Sequence, residues 1–173
     1  MRFLHAADIH LDSPLRNLDR YEGAPAAEIR GASRRAFDNL VRLAIEERVD
    51  FVLVAGDLFD GDWRDFNTGL YFVRGASKLA EAEIPLYLIR GNHDAASKIT
   101  KDLRWPRNVV ELSTRAPQTI TEDRLGIAVH GQSFTSGKMT EDLAARYPKA
   151  VPDLFNIGLL HTSLTGREGH DSY

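Results

Sequence analysis

Four short segments of the sequence contain residue types that bind metal ions or transfer protons. They hold, in chain order, Asp8 and His10; Asp57; Asn92, His93 and Asp94; and His161. Each segment follows a short apolar run with the composition of a buried strand. Because ligand sites in open α/β sheets form beyond the carboxyl ends of the strands, we expect the four segments to meet at one sheet edge. The sequence therefore predicts a metal centre there, built from carboxylate, imidazole and amide groups.

The first two segments predict the ligands of this centre. In Asp8-Ile9-His10 the side-chain period of two on an extended backbone would put a carboxylate and an imidazole on the same side, where both could bind one cation. Gly56 would let the chain turn so that Asp57 faces the site and bridges two cations with its carboxylate. Taken alone, each pattern is more typical of a structural role, with Asp8 as a loop cap beside a surface imidazole of His10, and Asp57 as the cap of the following loop.

The third segment, Gly91-Asn92-His93-Asp94, is the most specific. Asn92 would bind a metal through its amide oxygen, and His93 would donate a proton to a leaving alkoxide or stabilise charge on a phosphate. Asp94 would fix the tautomer of His93 and favour its protonated form. The alternative is an Asn-His turn with Asp94 as a helix cap.

The remaining histidines receive different interpretations. His161 follows an apolar run and is predicted to bind metal, like the residues at the other strand ends. His5 is expected to be a hydrogen-bonded histidine of the core or beside the ligands, and His130 a structural residue. His170 is interpreted as part of a loop and not as a ligand.

Hydrophobic periodicity predicts the elements that position these segments. Helical spacing of apolar residues occurs from Ile29 to Ala44 and from Phe66 to Ala80. Strands are predicted at Arg2–Ala7, 51–55, 85–89, 125–129 and 155–160. The order β-α-β-α-β favours a parallel sheet with right-handed crossovers. A hairpin of 118–121 with 125–129 and a short helix from Thr140 to Arg146 are expected to follow.

Composition limits the classes of protein that remain. The chain has 173 residues, enough for one domain over 1–173, with 43% hydrophobic residues and a net charge of −3. The absence of cysteine excludes disulfides and thiolate ligands, which leaves ligands suited to Mn, Mg, Fe or Zn. No apolar run is long enough for a membrane span and no signal peptide is recognised, so a cytoplasmic location is expected. The cluster of Arg30, Arg34, Arg35 and Arg42 is interpreted as a solvated helix face with intrahelical ion pairs.

Together the motifs D-I-H, G-D-L-F-D, G-N-H-D and L-L-H-T resemble those of the calcineurin-like metallophosphoesterase superfamily. The segments Phe3–Asp12, Gly56–Asp60 and Ile89–Asp94 are similar to SbcD-type DNA repair nucleases, especially their YhaO-like branch. The resemblance implies an α/β/β/α sandwich with mixed sheets. It implies one metal on Asp8, His10 and Asp57, a second on Asp57, Asn92 and His161, and action of His93 on the phosphate.

The same resemblance implies two divalent ions, typically Mn²⁺, which activate a water for in-line attack on a DNA phosphodiester. It also implies an SbcC- or Rad50-like ATPase as partner. The family pattern ends with a Gly-His-x-His segment, which the chain lacks after His161; Gly169-His170 is not an equivalent. We therefore expect a C-terminally incomplete domain of a longer protein that binds metal weakly and is slow or inactive as a nuclease. We also expect an apolar surface that a second copy could cover in a homodimer.

Two other classes of function fit the same motifs. The metal residues alone do not separate a nuclease from a phosphomonoesterase, a cyclic-nucleotide phosphodiesterase or a small-molecule pyrophosphatase, because the surrounding loops select the substrate. A non-catalytic scaffold of the same fold is the second alternative. Within these 173 residues, however, no predicted ligand from the first four segments is missing.

Overall fold

A computed structural model describes residues 1–13, 31–60, 66–97 and 103–163 of the protein. The first sheet is parallel, and its four strands lie side by side in the order in which they follow along the chain. Its strands are β1 (Phe3–Ala6), β2 (Phe51–Ala55), β3 (Leu86–Ile89) and β4 (Val109–Glu111). Helix α1 (Ala32–Glu46) precedes β2, α2 (Phe66–Glu81) precedes β3, and the short α3 (Asn92–Ala96) follows β3. The predicted β-α-β-α-β opening is confirmed. The start predicted at Ile29 for α1 lies outside the described residues, and β4 was not predicted.

Strand β2 shows how the sheet is covered on both faces. All five of its residues are buried, and alternate residues face opposite sides of the sheet. Val52 and Val54 pack in one core with Phe37 of α1 and Phe72 of α2. On the other side, Phe51, Leu53 and Ala55 pack in a second core that includes residues of the second sheet. A continuous apolar strand is the expected result for a strand buried on both faces.

The second sheet has the order β5-β6-β7, with β5 (Gln118–Glu122), β6 (Ile127–Gly131) and β7 (Phe155–Leu159). β5 and β6 form the predicted antiparallel pair, and β7 runs parallel to β6. Ile127, Val129 and Leu159 contribute to the core shared with β2 and β3. The described residues thus supply helix, sheet and sheet layers of the expected sandwich. Only a 3-10 turn, Ala144–Arg146, occurs where a longer helix from Thr140 was predicted.

Two histidines of the sheets differ in their environment. β6 extends to Gly131, so His130 lies inside this strand and not at its end, and it is buried between Thr119 Oγ1 and Asn156 Oδ1, each 2.8 Å from a ring nitrogen. His5 is exposed, so the prediction of a core histidine was wrong. β1 is an end strand of its sheet, and the core shared with the second sheet includes residues of β2 and β3 but none of β1.

Two arginines of the predicted cluster, Arg34 and Arg42, have different roles, and Arg30 lies outside the described residues. Arg42 forms the predicted intrahelical pair with Glu46, with 2.7 Å between Nη1 and Oε2. Arg34 instead binds Asp12 across 22 residues of sequence. None of the helices in the described part of the chain is long and apolar enough to cross a membrane.

Candidate metal centre

The loops that follow β1 and β2 run side by side and bring the first two motif segments together. The backbone N–H groups of Asp8, His10 and Leu11 donate to the carbonyl oxygens of Gly56, Asp57 and Leu58, at 3.1, 3.0 and 2.9 Å. The parallel pairing of β1 with β2 therefore continues beyond the last residues of the strands. This continuation places Asp8 and His10 against Asp57, at the carboxyl edge of the sheet.

The backbone in these loops is left-handed at the predicted ligands. Asp8, His10 and Asp57 have φ angles of 53°, 43° and 53°, and Asp12 has 57°. The prediction that Asp8 and His10 align on an extended backbone was therefore wrong in its geometry. Non-glycine residues adopt this region at an energetic cost and keep it when the surrounding structure over-determines it, which is common at functional sites.

Asp12 fastens the first loop to both helices. Its carboxylate accepts hydrogen bonds from Arg34 Nε at 2.6 Å and from Thr68 Oγ1 at 2.7 Å. Burial opposes ionisation of Asp12, but these bonds and the charge of Arg34 hold its pKa below the ordinary value. The Arg34 guanidinium also lies 4.5 Å from the centre of the Tyr71 ring. Ionised Asp12 thus stabilises the loop that presents Asp8 and His10.

Three acceptor atoms converge on one side of the site. His161 Nε2 lies 3.1 Å from Asn92 Oδ1 and 3.5 Å from Asp57 Oδ2. The other nitrogen of this buried ring, Nδ1, is 2.8 Å from the carbonyl oxygen of Ala55 and must donate to it. Neutral imidazole has one N–H, so His161 Nε2 carries a lone pair.

The lone pairs of His161 Nε2 and Asn92 Oδ1 cannot satisfy each other, and Asp57 adds a negative charge beside them. A cation held by the three groups would remove this repulsion. Cis ligands at ~2.1 Å from an octahedral ion lie about 3.0 Å apart, which is close to the observed separations. The residues present therefore fit a divalent metal at this position.

His10 also lies beside Asp57, as the sequence predicted for a ligand of the same centre. His10 Nε2 is 3.7 Å from Asp57 Oδ2, the same oxygen that faces His161. Asp57 Oδ1 accepts a hydrogen bond from the His93 backbone N–H at 3.0 Å, which leaves Oδ2 as the oxygen between the two imidazoles. Ligand atoms of Asp8, Asp57 and His161 all lie within 4.8 Å of one another. The structure thus brings together all five predicted ligands around one buried carboxylate.

Asp60 is a site residue that the sequence interpretation missed. Its Oδ1 is 2.7 Å from His10 Nδ1 and 3.2 Å from His93 Nδ1. Burial opposes ionisation of Asp60, but hydrogen bonds from Ser13 and His10 and the charges of the two histidines lower its pKa. The available signal was a second carboxylate three residues after Asp57 in Gly-Asp-Leu-Phe-Asp. The motif does not specify where the Asp60 carboxylate points, because the conformation of the loop decides that.

The carboxylate of Asp94 was predicted to lie beside the imidazole of His93, but it faces backbone N–H groups instead. Its buried carboxylate accepts hydrogen bonds from the backbone N–H groups of Leu58, Phe59 and Gly91, at 3.1, 2.8 and 3.0 Å. It therefore joins the loop after β2 to the loop after β3. Burial raises its pKa to about 6, and the nearby Asp57 charge adds to this against the effect of the backbone donors.

The raised pKa of Asp94 predicts a pH-dependent stability. In the metal-free protein the folded state holds this proton more tightly than the unfolded state, whose value is near 3.8. The stability gained from protonation is present below pH ~4 and is lost as the pH rises through about 6. We expect the free energy of unfolding, measured with denaturant in the presence of EDTA, to fall over this range relative to Asp94→Asn. Parallel pH curves for the two proteins would contradict the assignment.

Two glycines are required by the close approach of the ligands. A methyl group on Gly56, whose φ is +88°, would lie 2.6 Å from His161 Nδ1. One on Gly91 would lie 2.8 Å from His161 Nε2 and still closer to Asp57 Oδ1. Both distances are below van der Waals contact, so the glycines provide the space in which the ligands converge.

The motifs, the two packed sheets and the convergent ligands are those expected of a metal-dependent phosphoesterase, and comparison with known proteins supports this class. The chain belongs to the calcineurin-like phosphoesterase family, whose model matches residues 1–169. Hydrolysis of phosphoesters with divalent metal ions is the chemistry of this family. The superfamily predicted from the motifs is thereby confirmed, whereas the SbcD-type specificity stays a prediction.

Curated proteins similar to this chain include a YhaO metallophosphoesterase and Mre11 proteins. The metallophosphoesterase YhaO of Bacillus subtilis is 35% identical over 176 residues, covering 100% of this chain and 43% of YhaO. The DNA double-strand break repair protein Mre11 of Sulfurisphaera tokodaii is 30% identical over 168 residues, covering 94% of this chain and 41% of that protein. The chain thus spans less than half the length of these relatives. A solved structure, a dimetal phosphatase from Danio rerio, matches with a TM-score of 0.44 and 15% identity over 77% of this chain and 44% of that chain.

Proposed function

We propose that this chain is the metal-binding part of a phosphodiesterase that hydrolyses DNA with two divalent ions. The observation that carries the proposal is the convergence of His161 Nε2 and Asn92 Oδ1 on Asp57, with the Nε2 atoms of both His161 and His10 within 3.7 Å of Asp57 Oδ2. DNA is proposed as the substrate because several relatives are DNA double-strand break repair proteins. An SbcC- or Rad50-like ATPase partner is part of the same proposal.

In this proposal Asp8, His10 and Asp57 hold one ion, and Asp57, Asn92 and His161 hold the other. When bound, two such ions lower the pKa of a shared water and neutralise charge on the phosphate. Carboxylate and amide oxygens predominate in this set, which suits Mn²⁺ or Mg²⁺. The carbonyl of Ala55 holds the proton of His161 on Nδ1, and the carboxylate of Asp60 holds the proton of His10 on Nδ1. Each imidazole therefore directs its Nε2 toward the metal centre.

His93 is the residue proposed to act on the substrate. Its side chain is 45% exposed, so it is available to a phosphate above the centre, while its Nδ1 faces Asp60. Donation from Nδ1 to the Asp60 carboxylate leaves Nε2 to hydrogen-bond a phosphoryl oxygen and, when protonated, to give a proton to the leaving alkoxide. We therefore assign to Asp60 the orienting role that the sequence had suggested for Asp94.

A panel of substrates tests the proposal. The chain loaded with Mn²⁺ is incubated with duplex DNA carrying free ends, single-stranded DNA, bis-p-nitrophenyl phosphate as a diester and p-nitrophenyl phosphate as a monoester. We expect the DNA substrates and the diester to be cleaved, and the monoester at a rate at least about tenfold lower, a difference of ~1.4 kcal/mol in activation free energy. Turnover of the monoester alone would replace the nuclease assignment by a phosphomonoesterase.

A further inference from the structure

We propose that His10, Asp60 and His93 form an additional metal site that binds Zn²⁺ and similar nitrogen-preferring ions. When this site is occupied, His10 is no longer available to the metal centre around Asp57. This proposal rests on the proposed function only in its consequence, which is inhibition. The site itself is inferred from the three side chains and can be tested without any substrate.

The geometry of the cluster is that of a site with three ligands. Asp60 Oδ1 lies 2.7 Å from His10 Nδ1 and 3.2 Å from His93 Nδ1, and the three ligand atoms are within 4.8 Å of one another. The two rings meet edge to face, with their centres 4.9 Å apart. Ligands at ~2.1 Å from a tetrahedral zinc are about 3.4 Å apart, so small side-chain movements would admit the ion.

The side chains are also accessible. His10 is 31% exposed, Asp60 14% and His93 45%. An ion can therefore reach the cluster from solvent and keep a water as its fourth ligand, as open zinc sites with three protein ligands do. Asp57 and His161, in contrast, are 3% and 6% exposed.

Ligand type separates this cluster from the centre around Asp57. Two imidazoles and one carboxylate form a set that Zn²⁺ prefers, whereas each position beside Asp57 offers one imidazole together with oxygen ligands. Mn²⁺ and Mg²⁺ favour the oxygen-rich positions. The two groups of residues would thus select different metals although they share His10.

Sharing His10 makes the two arrangements mutually exclusive. A neutral imidazole has one lone pair on nitrogen, and the other nitrogen carries the proton. With its proton on Nδ1, toward Asp60, His10 directs its lone pair from Nε2 toward Asp57. An ion bound to Nδ1 moves the proton to Nε2 and removes His10 from the centre around Asp57. The same ion occupies His93 Nδ1 and Asp60, which withdraws the proposed proton donor from its orienting carboxylate.

Zinc titration of the ¹⁵N-labelled chain tests the site directly. Long-range ¹H–¹⁵N correlation spectra distinguish Nδ1 from Nε2 in each imidazole, and His10→Gln and His93→Gln assign the two rings. We expect one equivalent of zinc chloride to shift His10 Nδ1 and His93 Nδ1 together, and Mg²⁺ to leave His93 Nδ1 unshifted. Zinc that engages Nε2 of His10 and of His161 while leaving His93 Nδ1 unchanged would overturn the proposal.

Two matched variants measure the contribution of each carboxylate. Asp60→Asn is expected to weaken zinc binding at least about tenfold in calorimetry, whereas Asp8→Asn, the same change at a carboxylate outside the cluster, leaves the dissociation constant within about twofold. The reverse order would place zinc in the centre around Asp57 and overturn the inference. The spectra of the unsubstituted chain decide the question even if a variant fails to fold.

The outcomes for zinc and for catalysis are separable. If zinc binds through both Nδ1 atoms but the Mn²⁺-loaded chain cleaves no diester, the metal site stands and the proposed function fails. If zinc avoids the cluster while the Mn²⁺-loaded chain cleaves diesters, only this inference fails. If both hold, we expect zinc to inhibit diester cleavage in proportion to occupancy of the cluster.

Discussion

Replacement of His93 by glutamine is expected to lower kcat for diester hydrolysis by about 10²–10³-fold in the Mn²⁺-loaded chain. Glutamine retains a polar group but cannot exchange a proton near neutral pH, so the loss reports on proton donation and on charge stabilisation at the phosphate. The imidazole of His93 faces Asp60, whereas the backbone N–H of His93 donates a hydrogen bond to Asp57. Mn²⁺ binding by titration calorimetry should therefore change less than about threefold, because backbone donation to Asp57 survives the substitution.

His5→Gln is the matched control for this prediction. His5 is exposed on β1 and belongs to neither group of potential metal ligands found among the described residues. Its variant should retain the kcat of the unsubstituted chain. Should His93→Gln also remain within about threefold of that value, His93 would have no part in the chemistry and its exposure beside Asp60 would need another explanation.

Replacement of Asp57 by asparagine is expected to weaken binding of both Mn²⁺ ions by more than about 100-fold, because changes even to groups that only orient ligands cost about 10–100-fold. The substitution removes the negative charge that the two ions share. The new amide could present an N–H₂ group toward His10 and His161, where Oδ2 of the carboxylate now lies 3.7 and 3.5 Å from their Nε2 atoms. Titration calorimetry with manganese chloride measures both affinities, and diester hydrolysis should fall with them.

Asp123→Asn provides the same chemical change away from the site. Asp123 is exposed in the turn between β5 and β6, so its variant should bind Mn²⁺ like the unsubstituted chain. Circular dichroism establishes that the Asp57→Asn protein has remained folded. A loss confined to one ion would contradict the bridging role of Asp57 and would assign it to a single metal.

The proposed centre around Asp57 and the proposed zinc site share Asp60 as a structural element. The same oxygen of Asp60, Oδ1, lies beside both His10 and His93. One carboxylate therefore serves both imidazoles, and this arrangement brings the two rings within reach of a single ion. Local metal composition would then decide whether His10 serves the centre around Asp57 or the cluster with Asp60. The calorimetric comparison of Asp60→Asn with Asp8→Asn is the sharpest measure of this division.

The sequence by itself determined the order of elements and the residues that gather at the sheet edge. Strand β2 and helices α1 and α2 could be predicted from the sequence. A strand that is buried on both faces is apolar throughout, and a helix that is buried on one face has apolar residues every three to four positions. Asp57, Asn92 and His161 were readable because parallel strands bring their carboxyl ends to one edge. Family membership confirmed the superfamily that these motifs indicated.

Tertiary structure alone decided the directions of the side chains and the tautomers of the rings. Left-handed φ angles at Asp8, His10 and Asp57 replaced the extended geometry expected for the first motif, because neighbouring loops hold that backbone through hydrogen bonds. The proton of His161 is fixed by a carbonyl 106 residues away, at Ala55. Asp60, and not Asp94, faces the His93 imidazole for the same reason, because each carboxylate accepts hydrogen bonds from another loop and sequence spacing does not specify which loop that is.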